Sequence, residues 1–363
     1  MRHYLPFFLG YFSVMALSNA IVPVLPFYAP GSSVNGLIYA GYFLGAFMVT
    51  LPAGILTDRY GRVLFVRLGL AVSLASGLFL AMVTDPALVI AGRIIEGIGA
   101  GLFVAAAMAA INADPDHVRL SGWLMASQNA GLVTGLAVAG WLAAYLGSPP
   151  AGITLFALLL AVPAVASLLV REPARGHDHP KTTAEGILSL AKEYRWLWYS
   201  TIILIGITGI VTSLYPGFSG APSDQLGIWL AGMSIATIFA VLIGSRMAPE
   251  PVRAIRIGAI LMIGGILLLL ISPAGFLLLG AVAGVVIIAQ MAFLAENREH
   301  QGTVMGLYSA FAYLGMAILP AVTGFIADGP GGFPAAFIIT AIAALSVAIT
   351  IGRCRCTHAS TAI

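Results

Sequence analysis

The chain has 363 residues, of which 60% are hydrophobic and 9% charged, with a formal net charge of +3 and a mean hydropathy of +1.00. Ordinary soluble domains carry about 25% charged residues, so a water-soluble fold is excluded.

Turn-like clusters such as APGSSVN, DRYGR and GSPP cut the chain into twelve apolar segments. They lie near 5–28, 34–57, 63–83, 87–111, 121–146, 151–170, 196–217, 226–247, 254–273, 275–295, 302–327 and 333–352. Each is long enough to cross about 30 Å of hydrocarbon at about 1.5 Å per residue. None alternates like the strands of a membrane barrel, so the expectation is an all-α membrane protein with twelve transmembrane helices. The first segment stays apolar past Ala20 to Tyr28 and reads as a full span rather than a cleaved signal.

Basic residues orient the spans. Arg2 precedes span 1; Arg59, Arg62 and Arg67 lie at the junction of spans 2 and 3, and Arg119 between spans 4 and 5. Arg171, Arg175, Lys181, Lys192 and Arg195 lie between spans 6 and 7. Arg246, Arg253 and Arg256 flank the loop between spans 8 and 9, Arg298 follows span 10, and Arg353 and Arg355 end the chain. Every Lys and Arg except Arg93 falls on one face, which the positive-inside rule makes cytoplasmic. The reading is a multi-pass cell-membrane protein, expected to be a monomer, with both termini in the cytoplasm. Cys354 and Cys356 follow the last span on that side, where thiols stay reduced. Neither a metal nor a cofactor is expected, and no nucleic acid partner.

The polar stretch 171–195 divides six spans from six, giving an N-terminal bundle 1–170, a linker, and a C-terminal bundle 196–363. AEGILSLAKEYRW within the linker reads as an amphipathic surface helix. Span 5 carries Gly122, Gly131 and Gly140, span 11 carries Gly306, Gly315 and Gly324, and each pair is offset by 184 residues. This echo fits a parallel duplication about an axis normal to the membrane, with a site between the halves. Gly131 and Gly135 form a G-x-x-x-G, which permits close helix packing.

GILTDRYGR at the junction of spans 2 and 3 contributes Gly54, Asp58, Arg59, Gly61 and Arg62. Together with the span number and the 6+6 division, it resembles the signature of the major facilitator superfamily. An acid at Asp58, placed against the N-terminus of span 11, is favoured by about 0.3–1 kcal/mol through the helix dipole. The resemblance implies that this loop is a gate latch, locking the halves on the cytoplasmic side. AGRIIEGIGAG in span 4 resembles a second family motif, R-x-x-Q-G-x-G, through Arg93, Gly97 and Gly99, with Glu96 in place of the glutamine. Span 5 resembles an antiporter motif through Gly131, Gly135 and Gly140, with Leu136 and Ala139 departing from it.

An Arg or an acid at the centre of a membrane helix costs about 2.5–3.5 kcal/mol, so Arg93 and Glu96 need a reason. Three residues apart, they meet on one helix face and offset each other. Three roles stay open: a structural ion pair, direct pairing with a substrate, and proton coupling, in which burial and Arg93 act on the carboxyl's proton affinity in opposite senses. Polar and aromatic candidates for substrate contacts are Tyr11, Asn19, Tyr39, Tyr42, Gln128 and Asn129 in the first half, and Thr208, Gln290, Tyr308 and Tyr313 in the second. Gly97, Gly99, Gly131, Gly135, Gly140, Gly315 and Gly324 are read as helix-packing positions.

No G-K-[ST] phosphate loop, H-E-x-x-H or G-x-S-x-G occurs in the chain. The expectation is therefore not an enzyme but a secondary transporter. It exchanges a small organic solute for protons by alternating access, as an exporter, with proton-coupled uptake as the alternative. A sensor or scaffold on the same fold is the reading from a different class.

Overall fold

The computed structural model describes residues 4–114, 116–170, 184–247, 250–295 and 301–354. Among them are eleven helical segments long and apolar enough to cross a membrane, and a twelfth apolar helix of 17 residues. In the first half these are α1 (Leu5–Ala20) with the one-turn α2 (Leu25–Tyr28), α3 (Ser32–Tyr60), α4 (Arg62–Met82), α5 (Pro86–Asn112), α6 (His117–Leu146) and α7 (Ala151–Ser167). The short α8 (Ala184–Glu193) precedes α9 (Arg195–Ser219), α10 (Ser223–Met247), α11 (Pro251–Leu269), α12 (Gly275–Ala295), α13 (Gln301–Ala327) and α14 (Gly332–Thr350). In hydrocarbon every backbone polar group must be satisfied within its own segment, which leaves the helix as the form these apolar runs adopt.

Several boundaries differ from the expectation by a few residues, and two of them have a visible cause. The first span is broken: α1 ends at Ala20, and a 3₁₀ turn over Val22–Val24 leads into α2. Pro23 and Pro26 lack the amide that would continue the ladder. The sixth span ends as a helix at Ser167 rather than 170. Arg67 of α4 donates to the carbonyl oxygens of Ser167, Leu168 and Val170, so a side chain takes over the last carbonyls.

The duplication is legible in the packing. In the first half α1 packs on α6 and α7, α3 on α5, and α4 on α5 and α7. In the second half α9 packs on α13, α10 on α12, and α11 on α12 and α14. These are the same pairings displaced by one half-chain. The halves meet along two further seams, α3 with α13 and α6 with α10, which the same two-fold operation exchanges.

The echoed glycines explain both kinds of contact. Gly131 and Gly315 abut the backbones of Phe12 and Ile202, joining α6 and α13 to the first helix of their own half. Gly140 and Gly324 abut Ser223 and Ser32, joining the same helices to the opposite half. Without a Cβ, each lets two backbones touch. The third pair is different: Gly122 has nothing within 4 Å, and Gly306 meets only the side chain of Leu51. The seams are thus backbone-tight at the arginine-free end and looser toward the arginine-rich end. Contacts between helix ends fix which termini share a face. The Tyr4 hydroxyl donates to Asp114 across 2.6 Å, and Arg353 lies over the Trp196 ring.

The motif turn between α3 and α4 rests on Gly61, whose φ of 103° and ψ of 144° are open to glycine and strained for other residues. Its amide closes α3 onto the Thr57 carbonyl at 3.0 Å.

Candidate functional site

Asp85 caps α5 by accepting the Leu88 amide, with Pro86 at the first helical position, where its missing amide costs nothing. From this fixed start, Arg93 and Glu96 fall about 10 and 15 Å down the helix axis, in the part of the span nearer its arginine-free end. Both side chains are only 1% exposed, and Arg93 Nη1 lies 2.6 Å from Glu96 Oε2. This is the one ion pair among the described residues that is closed within the apolar interior.

Glycine brings α3 against that pair. Gly97 of α5 abuts the Tyr42 carbonyl, and Gly41 and Gly45 of α3 abut α5 in return. Gly99 faces the other way, onto Ser73 of α4, so the glycines of the motif seat α5 between its two neighbours. The close approach places the Arg93 guanidinium over the Tyr42 ring, 4.8 Å from its centroid, and Nε within 3.4 Å of the Ile38 carbonyl oxygen. Glu96 Oε2 is taken by Arg93. Glu96 Oε1 is buried and has no hydrogen-bond partner. The pair is enclosed between α3 and α5 instead of lining an open hollow.

Tyr42 connects the pair to the place where the halves meet. Phe43 packs against Tyr39, Tyr42 and, from α13, Tyr313, with ring centroids 5.1, 5.0 and 6.1 Å apart. Tyr11 of α1 packs on Phe103 at 5.9 Å. Tyr39, Tyr42 and Tyr313 are therefore joined through Phe43 into one aromatic cluster fed by both halves.

The remaining candidates are placed elsewhere. Asn19 and Asn129 donate to the carbonyls of Met15 and Met125 on their own helices, and Thr208 donates to Ile205. Gln290 is wholly buried inside the second half, donating to Ser200 at 3.1 Å and accepting from the Tyr308 hydroxyl at 3.2 Å. Gln128 is half-buried on α6. At the junction of α3 and α4, Gly54 has open space around it, and Arg62 opens α4. The side chains of Asp58 and Arg59 lie outside the described residues, as do linker residues 171–183.

Sequence reasoning did not single out Phe43, the hub of the ring cluster, because a phenylalanine in an apolar run carries no signal. Nor did it pair Asp328 with the start of α3. Asp328 Oδ1 and Oδ2 each accept a backbone amide, from Ser32 and Ser33, both at 2.8 Å. The available signal was an acid beside an expected helix end on a face without Lys or Arg.

The model of the Major Facilitator Superfamily matches residues 7–315 and, again, 220–355. Multidrug resistance protein 2 of Bacillus subtilis is 25% identical over 342 residues, covering 85% of this chain and 84% of that protein. Quinolone resistance protein NorA of Staphylococcus aureus is 23% identical over 355 residues, covering 88% and 89%. Among solved structures, a bacterial homologue of the human lysosomal transporter Spinster, in an inward-facing and occupied conformation, superposes with a TM-score of 0.79 at 15% identity, covering 96% of this chain and 95% of that one. With this family model matching most of its length, the chain belongs to the major facilitator superfamily of transporters.

Proposed function

We propose that the protein exports a small organic solute from the cell in exchange for protons, working as a monomer in the cell membrane by alternating access. Residues 1–170 and 196–363 rock against each other across the link 171–195, and the arginine-rich face is cytoplasmic. Glu96 carries the proton. The observation behind this assignment is the half-satisfied carboxylate: Oε2 is held by Arg93 while Oε1 is buried without a partner. A proton added at Oε1 leaves Oε2 free to accept from Arg93 and removes the carboxylate's charge from the buried site, so the helix contact need not be rebuilt.

Tyr42 is the side chain between this pair and the aromatic cluster where the halves meet. Movement of α13 against α3 shifts Tyr313 and Phe43, and through Tyr42 alters the surroundings of Arg93. The solute contacts are assigned to Tyr11, Tyr39, Tyr42 and Tyr313, whose rings and hydroxyls suit amphipathic aromatic compounds. The similarity to two relatives named for multidrug and quinolone resistance supports export of such compounds. The Arg93 contacts to Tyr42 and Ile38 also fasten α5 to α3, so the pair has a packing share in addition.

The test is transport in proteoliposomes of a panel of fluorescent aromatic solutes, with a pH dye on the opposite side. Solute accumulation driven by an imposed pH gradient, with opposite proton movement, supports antiport. Movement of both in one direction identifies uptake by symport, and no response to the gradient removes proton coupling.

A further inference from the structure

The arginine-free face contains Asp85, Asp224 and Asp328 but no Lys or Arg. Asp328 is the first residue beyond α13, the negative end of that helix dipole, which is an unfavourable place for a carboxylate by itself. It is bound instead to the opposite half. Its two oxygens take the amides of Ser32 and Ser33, the first residues of α3, where helix N–H groups have no intrahelical partner and the dipole is positive. Its own amide donates to the Gly324 carbonyl at 3.1 Å, which fixes the carboxylate at the end of the helix.

Glycines on both sides make the reach possible. Gly324 abuts the Ser32 backbone, Gly36 abuts the carbonyl of Pro320, and a Cβ on Gly31 would stand 3.2 Å from Asp328 Oδ2. The two-fold-related seam, α6 with α10, has the glycines but Ala144 at the position 184 residues before Asp328. There, among the described residues, a hydroxyl bond from Ser223 to the Gly140 carbonyl spans the halves. One seam carries a charged clasp and the other does not.

We propose that Asp328 is the latch of the arginine-free face: its bidentate grip on the α3 N-terminus holds the halves closed there, and its release is required for the site to open on that side. The clasp inverts the arrangement implied for Asp58. The same two helices are used at opposite ends, with the acid contributed by α13 instead of α3.

This inference rests on the alternating-access reading, and the experiment separates the two. Spin labels at Met82 and Ile271, exposed at the arginine-free ends of the two halves, and in a second sample at Leu169 and Met247, exposed at the other ends, are measured in the full chain with Cys354 and Cys356 replaced by Ser. In the wild type both pairs are expected to show two distance populations that exchange weight when solute is added. Asp328→Asn and Asp328→Ala are expected to raise the long-distance population at the Met82–Ile271 pair about two- to fivefold and to lower it at the other pair. Asn keeps a neutral cap, so it reports the charge even if the Ala variant is poorly folded. Two exchanging populations that neither variant shifts would overturn the latch and leave alternating access standing. A single unchanging distance at both pairs in the wild type would overturn both.

Discussion

Arg93 stands over the face of Tyr42, with its guanidinium carbon 4.8 Å from the ring centre and its Nη1 on Glu96. The cation is thus held by a carboxylate on its own helix and by a π face on the next. Tyr42→Phe keeps the ring and is expected to leave the melting temperature in detergent unchanged within error. Tyr42→Leu removes the π face and is expected to cost about 1–2 kcal/mol, read as a lower melting temperature. Equal stability of the two variants would show that the ring contributes packing alone.

Removal of one member of the buried pair is expected to be worse than removal of both. Arg93→Leu strands a carboxylate in the interior, with an expected loss of about 3–5 kcal/mol. The double change Arg93→Leu with Glu96→Leu replaces the pair by apolar packing and is expected to fold nearly as well as wild type. Thermal unfolding of the four proteins of this cycle measures the coupling.

Function separates from stability at Glu96. Glu96→Gln keeps the shape and a hydrogen-bond acceptor for Arg93 but cannot take up a proton. It is expected to abolish solute movement driven by a pH gradient while leaving solute counterflow within about twofold of wild type. Undiminished gradient-driven transport would remove Glu96 from the coupling role.

The glycines predict an asymmetry between positions seated against a neighbouring backbone and positions with open space. Gly97→Val drives a side chain into the Tyr42 backbone and is expected to cost about 1–3 kcal/mol or more. Gly122→Ala meets nothing within 4 Å and is expected to be neutral or to stabilise by up to about 1 kcal/mol, from helix propensity. Yield and melting temperature of the purified variants decide this.

A pH effect on the closed face follows from Asp328. Burial works against its charge, but the hydrogen bonds from Ser33 and Ser32 outweigh it and hold the carboxyl below its ordinary range. The groups acting on it are these two serines, with no charged side chain among them. A folded-state value below the unfolded one contributes stability that is present above about pH 4 and is lost as the pH falls through the folded value. The closed population at the Met82–Ile271 pair is therefore expected to stay level from pH 8 to about pH 5 and to fall only in stronger acid. In Asp328→Asn that acid dependence is expected to vanish.

The sequence by itself determined the number of spans and the choice of Arg93 and Glu96 as residues needing explanation. The physical reason is that the bilayer makes hydrophobic length, and the cost of a charge within it, readable one residue at a time. It also marked Gly131, Gly140, Gly315 and Gly324, but their spacing carried no information about which backbone each would touch. Only the tertiary structure decided that Gly140 and Gly324 join the halves while Gly131 and Gly315 build them. It also showed that Tyr42 covers Arg93, that Gln290 serves a network inside one half, and that Asp328 grips Ser32 and Ser33 across almost the whole chain. Those relationships depend on how helices distant in sequence are rotated and seated against one another, and a helix that is apolar nearly all round leaves no periodic trace of the face it turns to a partner.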